Sequence, residues 1–160
     1  MLREVQIPGV AGRLFLTSMP GRYEPLKESL DELVRCATLV VLTSDEEITE
    51  KSPEYGRWLA TRRLDASPKV LRYSVRDFGV PADVAGFVSL AKQVGVQLVA
   101  GEEVVVHCAA GIGRTGTFAA CVLVLLGLAE DEALQRVRVT GSGPETEAQQ
   151  TLVHSLDHAT

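Results

Sequence analysis

The strongest constraint on this chain is a short apolar strand that runs into a loop of small residues and then into an apolar helix. Residues 104–106 are three consecutive valines, which predict a buried strand. The segment HCAAGIGRTG follows at positions 107–116, and helical residues continue from 115 to about 128. Strand, loop and helix in this order favour an α/β structure.

The rest of the chain also alternates between strand and helix patterns. The sequence predicts strands at 5–7, 13–17, 38–42, 70–73 and 104–107, and helices at 25–35, 54–63, 83–100, 115–128, 130–139 and 145–158. Ser44 followed by Glu47 has the form of a capping box, which marks a helix N-terminus. The alternation predicts an α/β fold with a central, mostly parallel sheet of about four to five strands, flanked by helices on both faces.

Length and composition predict one domain over residues 1–160 and argue against several classes of protein. The 160 residues are 46% hydrophobic and 23% charged, which is typical of a globular protein with its own core. A net charge of −5 argues against nucleic-acid binding. The longest apolar run, 118–128, is too short for membrane insertion, and no signal peptide is indicated. Because the three cysteines form no disulfide framework, we expect a cytoplasmic protein.

The glycine-rich loop can hold a tetrahedral oxyanion against a cysteine thiolate. Its backbone N–H groups can turn inward and form an anion-binding nest, assisted by the N-terminus of the following helix. The same field stabilises a thiolate at Cys108, and the guanidinium of Arg114 can hold two oxygens at once. The predicted anion-binding residues are Ala109, Ala110, Gly111, Ile112, Gly113 and Arg114.

Two other interpretations of this loop have to be considered. Cys108 could be a structural core cysteine, but Arg114 and the glycines between them argue for a site. The segment GIGRTG also matches the dinucleotide fingerprint G-x-G-x-x-G, which needs more strands downstream and an acidic residue about 20 residues on. Because the residues after Gly116 are predicted to be helical, we interpret that match as accidental.

Asp77, in the segment VRDFGVP, is the best candidate for a proton donor. A thiolate that displaces the oxygen of a phosphate ester leaves a poor leaving group, which an acid should protonate. Gly79 and Pro81 predict a loop at this point, directly after the strand at 70–73. A solvated turn aspartate is the alternative, and the nearby chemistry expected of Cys108 favours the catalytic interpretation.

Together these segments resemble the cysteine-dependent protein tyrosine phosphatases. HCAAGIGRTG matches the His-Cys-(five residues)-Arg-Thr/Ser-Gly signature of that family, and DFGVP resembles its general-acid loop. The segment GSGPETEAQQ at 141–150 is similar to the glutamine-bearing segment of these enzymes. The order of elements and the segment SMPG at 18–21 resemble the small dual-specificity branch. The resemblance covers nearly the whole chain.

The resemblance implies hydrolysis of a phosphorylated protein or peptide without a metal ion or another cofactor. Cys108 would form a cysteinyl-phosphate intermediate, and Asp77 would protonate the departing phenol or alcohol and then deprotonate water. Arg114 and the loop amides would hold the phosphoryl oxygens. Phosphotyrosine is the expected substrate, and the oligomeric state stays open.

The resemblance assigns supporting roles to three further residues. The hydroxyl of Thr115 would donate a hydrogen bond to the sulfur in the second step. Gln149 would position the hydrolytic water. His107 would organise the loop rather than exchange protons.

Departures from the family pattern leave the substrate open. No tyrosine-bearing loop that would deepen the pocket is visible, so phosphoserine and phosphothreonine stay open as substrates. Ala109 and Ile112 stand where phosphoinositide phosphatases carry lysines, which disfavours a lipid headgroup. Arg76 stands where a proline is often found before the acid.

Rhodanese-like proteins and arsenate reductases share the Cys-(five residues)-Arg loop, and a phosphopeptide-binding module is a non-enzymatic alternative. The Asp77 loop and the glutamine segment argue against the two other enzyme classes, and the presence of cysteine, arginine and acid together argues against a binding module.

Several weaker signals each have a structural and a functional interpretation. The basic side chains between 51 and 76 could steer a substrate, although a solvated helix face is the favoured interpretation. His154 and His158 have a spacing that could bind metal, but no third ligand is evident. Cys36 and Cys121 could serve as resolving thiols, and core packing is the favoured role for both.

Overall fold

A computed structural model of the chain describes residues 1–157, which form five strands and seven helices. The strands are β1 (Arg3–Val5), β2 (Arg13–Thr17), β3 (Thr38–Val41), β4 (Lys69–Arg72) and β5 (Glu103–His107). The helices are α1 (Leu26–Leu33), α2 (Asp45–Lys51), α3 (Pro53–Thr61), α4 (Val84–Val99), α5 (Gly113–Leu125), α6 (Glu130–Val139) and α7 (Glu147–Asp157).

The strands form a single sheet in the order β1-β2-β5-β3-β4. β1 is antiparallel to β2, and the other neighbouring strands are parallel. β5 is the central strand, and its last residue, His107, pairs with Thr17 of β2 and Val41 of β3. The predicted α/β class with a central, mostly parallel sheet is therefore confirmed.

The three valines of β5 contribute to two hydrophobic layers, because successive strand residues point to opposite faces of a sheet. Val104 and Val106 pack in one cluster with Phe118 of α5. Val105 packs in the other cluster with Tyr55 of α3. β5 and the buried helix α5 thus fix both ends of the loop that connects them. None of the helices within residues 1–157 is long and apolar enough to cross a bilayer.

The bounds of β1 and one half of the capping box differ from the sequence prediction. β1 occupies Arg3–Val5 instead of 5–7, because its pairing with β2 ends where Val5 meets Leu14 and the chain turns at positions 8–9. Ser44 caps α2 as predicted, since its hydroxyl accepts the N–H of Glu47 at 3.2 Å. The carboxylate of Glu47 does not complete the capping box but lies against a residue of α5, described below.

The basic side chains between 51 and 76 do not form a uniform positive surface. The guanidinium of Arg72 pairs with Asp45 at 2.6 Å, and that of Arg63 pairs with Asp65 at 3.2 Å. Arg62 lies over the ring of Trp58. These contacts favour the solvated-face interpretation over a steering patch.

Candidate active site

The predicted anion-binding loop lies at the C-terminal edge of the central strand. Cys108 directly follows β5, and α5 begins at Gly113. Cys108 is buried, whereas Ile112 is exposed. Residues 108–114 are called the cysteine loop below. Parallel strands place this loop beside the C-terminal ends of β2 and β3, where ligands bind in α/β sheets.

Hydrogen bonds from neighbouring groups hold the first two carbonyls of the cysteine loop. The carbonyl of Cys108 accepts a hydrogen bond from Nδ1 of His107 at 2.9 Å. The carbonyl of Ala109 accepts the backbone N–H of Met19 at 3.1 Å. The segment SMPG at 18–21 therefore borders the loop directly.

The carbonyls of Gly111 and Ile112 are each held by two donors. The carbonyl of Gly111 accepts hydrogen bonds from Nη2 of Arg3 at 2.7 Å and from Oγ of Ser142 at 2.6 Å. The carbonyl of Ile112 accepts the backbone N–H of Gly143 at 3.1 Å and the backbone N–H of Gly116, in the first turn of α5, at 2.8 Å.

These carbonyl contacts orient the amides of the loop. The peptide bonds of the cysteine loop are trans, and a trans peptide directs its C=O and the following N–H to opposite sides. Each carbonyl that is held by the surrounding protein therefore turns the next amide to the other side of the loop. The amides oriented in this way belong to Ala109, Ala110, Ile112 and Gly113. An anion-binding nest requires this arrangement.

Gly111 occupies a position that no other residue could take without strain. Its φ angle is +75°, and a Cβ atom there would collide with the carbonyl of Thr17 at the end of β2. The cysteine loop is therefore packed directly against the neighbouring strand.

Arg114 is the charged centre of the site. Its side chain is 1% exposed, and its two terminal nitrogens bind the carboxylate of Glu47 at 2.8 Å each. Burial lowers the pKa of Arg114, but the hydrogen bonds that it donates to Glu47 and the charges of Cys108, Glu47 and Asp77 outweigh this effect and raise the pKa. The same hydrogen bonds lower the pKa of Glu47. A permanently charged, oriented guanidinium results.

Two buried polar atoms next to the cysteine loop have no hydrogen-bond partner within residues 1–157. They are Nε of Arg114 and Oγ1 of Thr115. Buried polar groups normally find a partner, so an unpaired donor at a loop of oriented amides indicates a place for a ligand. The predicted hydrogen bond from Thr115 to the sulfur of Cys108 is not formed in this state.

Asp77 reaches the same guanidinium from the loop after β4. Its Oδ1 lies 3.3 Å from Nη2 of Arg114, and its side chain is 54% exposed. The same oxygen accepts the backbone N–H of Phe78 at 3.0 Å. Residues 76–81 are called the acid loop below. The structure thus brings the predicted acid next to the predicted clamp.

Gln149 lies at the back of the acid loop. Its side chain is buried, its Nε2 donates to the carbonyl of Gly79 at 3.0 Å, and its Oε1 accepts the N–H of Glu145 at 2.8 Å. Both ends of the amide are therefore engaged in holding the acid loop against the segment before α7. Its contact with the acid loop is a feature that the sequence did not predict.

His107 connects the core to the cysteine loop. Burial lowers the pKa of its imidazole to about 4, so the ring is neutral at physiological pH. Burial also raises the pKa of Tyr55, whose hydroxyl donates to Nε2 of His107 at 2.7 Å. Nδ1 is then the protonated nitrogen and donates to the carbonyl of Cys108. These contacts support a role for His107 in organising the loop.

The remaining sequence-based hypotheses concern residues away from this site. Cys36 and Cys121 are buried, and burial raises their pKa values to about 11 and about 12. Both observations favour core packing over a redox role. Nδ1 of His154 lies 2.6 Å from Glu130, and His158 lies outside the described residues.

Several residues of the site were missed by sequence reasoning. Glu47 was interpreted only as part of a capping box, although it is the main partner of Arg114, 67 positions away. Arg3, Ser142 and Tyr55 had no local signal at all. Each residue type is common at surfaces or in helices, so only its packing partner distinguishes it.

Comparison with known proteins gives the family. The family described as "PTP-SAK: Swiss Army Knife protein, DSP-PTPase phosphatase domain" matches residues 10–158. Among solved structures, kinase associated phosphatase (KAP), with serine in place of its catalytic site cysteine, superposes with a TM-score of 0.84 at 17% identity, covering 99% of this chain and 94% of that one. Tk-PTP in the active form gives a TM-score of 0.71 at 26% identity, covering 97% and 100%.

A third structure, PTPMT1 in complex with PI(5)P, gives a TM-score of 0.62 at 20% identity, covering 91% of this chain and 90% of that one. Likenesses at such low identity show the fold, and the family match shows the class of enzyme. The phosphatase interpretation therefore prevails over the rhodanese, arsenate reductase and binding-module alternatives. The dinucleotide interpretation is excluded, since no strand follows β5 within residues 1–157. This chain belongs to the PTP-SAK family of DSP-PTPase domains and is a cysteine-based phosphatase of the tyrosine and dual-specificity class.

Proposed function

We propose that this phosphatase hydrolyses phosphotyrosine in a protein or peptide, with Cys108 as nucleophile, Arg114 as clamp and Asp77 as acid. One observation carries the proposal. The buried guanidinium of Arg114 contacts Asp77 with one nitrogen and has a second nitrogen, Nε, without a partner within residues 1–157. The oriented amides of the cysteine loop begin directly after Cys108. These contacts support the proposal that nucleophile, clamp and acid act on one phosphoryl group.

In the first step, the thiolate of Cys108 attacks phosphorus, and an S–P bond forms as the P–O bond to the leaving group breaks. Asp77 transfers its proton to the departing oxygen, which leaves as a neutral phenol or alcohol. Arg114 and the loop amides hold the three other phosphoryl oxygens. Because these donors are fixed by the surrounding protein, they need little reorganisation during the reaction.

In the second step, water attacks phosphorus, the S–P bond breaks, and the thiolate returns. Asp77, now a carboxylate, accepts a proton from the water. Thr115 is proposed to donate to the departing sulfur, because its buried hydroxyl has no other partner within residues 1–157. Gln149 is proposed to position the water, which requires the bond from its Nε2 to Gly79 to open. Both steps balance without a metal ion or another cofactor.

Exposed apolar side chains support an aromatic substrate. Phe78, next to the acid, is 59% exposed, and Ile112 of the cysteine loop is 38% exposed. A phenyl ring can bury apolar surface against such residues, whereas the hydroxyls of an inositol ring would lose water there without gaining partners. We therefore propose phosphotyrosine as the preferred substrate, with phosphoserine and phosphothreonine hydrolysed more slowly.

The test compares kcat/KM across phosphopeptides and phosphoinositides in a buffer that contains EDTA. We expect turnover of para-nitrophenyl phosphate under these conditions and the highest kcat/KM with phosphotyrosine peptides. Cys108→Ser should abolish turnover, and rapid quench of the wild type should trap phosphate on Cys108. Activity of Cys108→Ser, or a phosphoinositide as the best substrate, would contradict the mechanism or the substrate respectively.

The location and assembly of the protein are separate questions. The three cysteines are free and buried, which suits a reducing compartment. We propose a cytoplasmic location on this basis, which cell fractionation can test. The net charge of −5 supports a substrate other than nucleic acid.

A further inference from the structure

Arg3 lies behind the cysteine loop and is not part of the family signature. It is half-buried on β1, the edge strand of the sheet. Its Nη2 donates to the carbonyl of Gly111 at 2.7 Å. Its Nη1 donates to the carbonyl of Thr140 and to Oγ of Ser142, both at 2.8 Å. One guanidinium thus joins the first strand, the cysteine loop and the segment after α6.

The contact with Gly111 determines the direction of a phosphate-binding amide. The carbonyl of Gly111 and the N–H of Ile112 belong to one planar peptide and point to opposite sides. While Arg3 holds the carbonyl on the outer side, the N–H of Ile112 is directed to the inner side. Gly111 has no Cβ and a positive φ angle, so its own backbone preference would not fix this plane.

Arg3 also places a second positive charge against the cysteine loop, at the carbonyl of Gly111. Burial lowers the pKa of Arg3, and the charge of Cys108 offsets only part of this shift. A favourable interaction between these two groups is reciprocal, so the guanidinium of Arg3 also stabilises negative charge in the loop. Arg114 acts from the substrate side, whereas Arg3 acts from the outer side of the loop.

We propose that Arg3 is a positioning residue for the phosphatase reaction, which directs the amide of Ile112 at the phosphoryl group and supports negative charge in the cysteine loop. The proposal rests on the function assigned to that loop above. Arg3 does not touch the substrate. It acts through Gly111, and it shares this task with Ser142, whose hydroxyl binds the same carbonyl at 2.6 Å.

The test measures kcat/KM with a phosphotyrosine peptide and the inhibition constant of tungstate, well below the melting temperature. All proteins carry the affinity tag at the C-terminus, so that β1 is not altered. Loss of one preorganised oxyanion donor costs about 10²–10³-fold in rate, and an indirect effect should be smaller, so we expect Arg3→Met to lower kcat/KM about 10- to 30-fold. The inhibition constant of tungstate should rise in parallel.

Two further variants separate hydrogen bonding from charge. Arg3→Lys keeps the charge but cannot bridge three acceptors with one planar group, so it should recover only part of the loss. The control is Arg13→Met, which removes the same charge from the neighbouring strand, where Arg13 is exposed and pairs with Glu4 and Glu103. This control should change kcat/KM less than about twofold.

A double-mutant cycle with Ser142→Ala tests the shared task. If either donor can hold the carbonyl of Gly111, the double variant should lose more activity than the product of the two single losses. If Arg3→Met does not fold, Arg3→Lys and Ser142→Ala carry the test, and both should weaken tungstate binding.

The proposal is overturned if Arg3→Met leaves kcat/KM and tungstate inhibition within twofold of the wild type while only the melting temperature falls. It is equally overturned if Arg13→Met causes the same loss as Arg3→Met. Failure of the proposed function has a different signature, because the wild type would then be inactive or Cys108→Ser would retain activity.

Discussion

The cysteine loop and the acid loop face the same guanidinium, but the protein holds them in different ways. The cysteine loop lies between the buried strand β5 and the buried helix α5, and two donors hold each of the carbonyls of Gly111 and Ile112. The acid loop is mostly exposed. Its contacts with the rest of the site are those of Asp77 with Arg114 and of Gly79 with Gln149.

The difference reflects the two tasks. Electrostatic stabilisation of phosphoryl oxygens requires donors that do not move, and these are anchored in the core. An acid has to approach the leaving group and release the product, which a loop with few contacts permits. Phe78 has a φ angle of +59°, which is uncommon for a residue other than glycine, so the acid loop depends on its few contacts to keep this conformation.

The largest effect is expected from Arg114→Lys on the cysteine-loop side. A lysine cannot bind two oxygens with one planar group, so kcat/KM should fall about 10³-fold. Glu47→Gln leaves the guanidinium in place but weakens its orientation, and the loss should be about 10- to 100-fold. Steady-state kinetics with a phosphotyrosine peptide measures both. An Arg114→Lys enzyme within tenfold of the wild type would show that the clamp is not essential.

Asp77→Asn tests the acid-loop side. For a phosphotyrosine peptide we expect kcat to fall about 10²–10⁴-fold, because the phenol then leaves without a proton. An activated aryl phosphate should lose far less, since its leaving group needs no acid. The control is Asp83→Asn, which removes the same charge nearby while asparagine can still cap α4. Equal losses of Asp77→Asn for both substrates would remove Asp77 as the acid.

Gln149→Leu tests whether the acid loop and the cysteine loop are held independently. It removes the bonds to Gly79 and Glu145, so the acid loop should become less ordered and kcat for a phosphotyrosine peptide should fall about tenfold. Tungstate inhibition should be unchanged, because the cysteine loop keeps its contacts. Gln150→Leu, at the exposed neighbouring position, is the matched control. Weaker tungstate binding in Gln149→Leu would mean that the two loops are not held independently.

The smallest effect on rate, and a clear effect on stability, is expected from the pH dependence of His107. Its folded pKa of about 4 lies below the ordinary value of 6.5, so the unfolded state takes up the proton first. The stability of the folded state is therefore complete above pH 6.5 and decreases as the pH falls towards about 4. The free energy of unfolding should decrease by on the order of 3 kcal/mol over this range.

Urea denaturation at several pH values measures this slope. His107→Asn, which keeps a side-chain N–H donor, should flatten the slope between pH 6.5 and 4.5. An unchanged slope in this variant would assign the acid sensitivity in this pH range to groups other than His107.

Much of the fold could be predicted because each element has its own local pattern. The valines of β5, the β-branched run of β3 and the apolar periodicity of α4 predict their structures from contiguous residues. The boundaries of β1 were wrong by two residues, since its register depends on pairing with β2. That error placed Arg3 outside the predicted strand and hid its contact with Gly111.

Cys108, Gly111 and Arg114 could be identified from the sequence because nucleophile, nest and clamp lie within one strand–loop–helix unit, whose geometry is local. The partners that complete the site come from other elements. Glu47 is 67 positions from Arg114, Arg3 is 108 positions from Gly111, and Gln149 is 70 positions from Gly79. Only the packing of the sheet and helices brings these pairs together, because hydrogen-bond partners depend on distance in space and each residue alone has an ordinary local role.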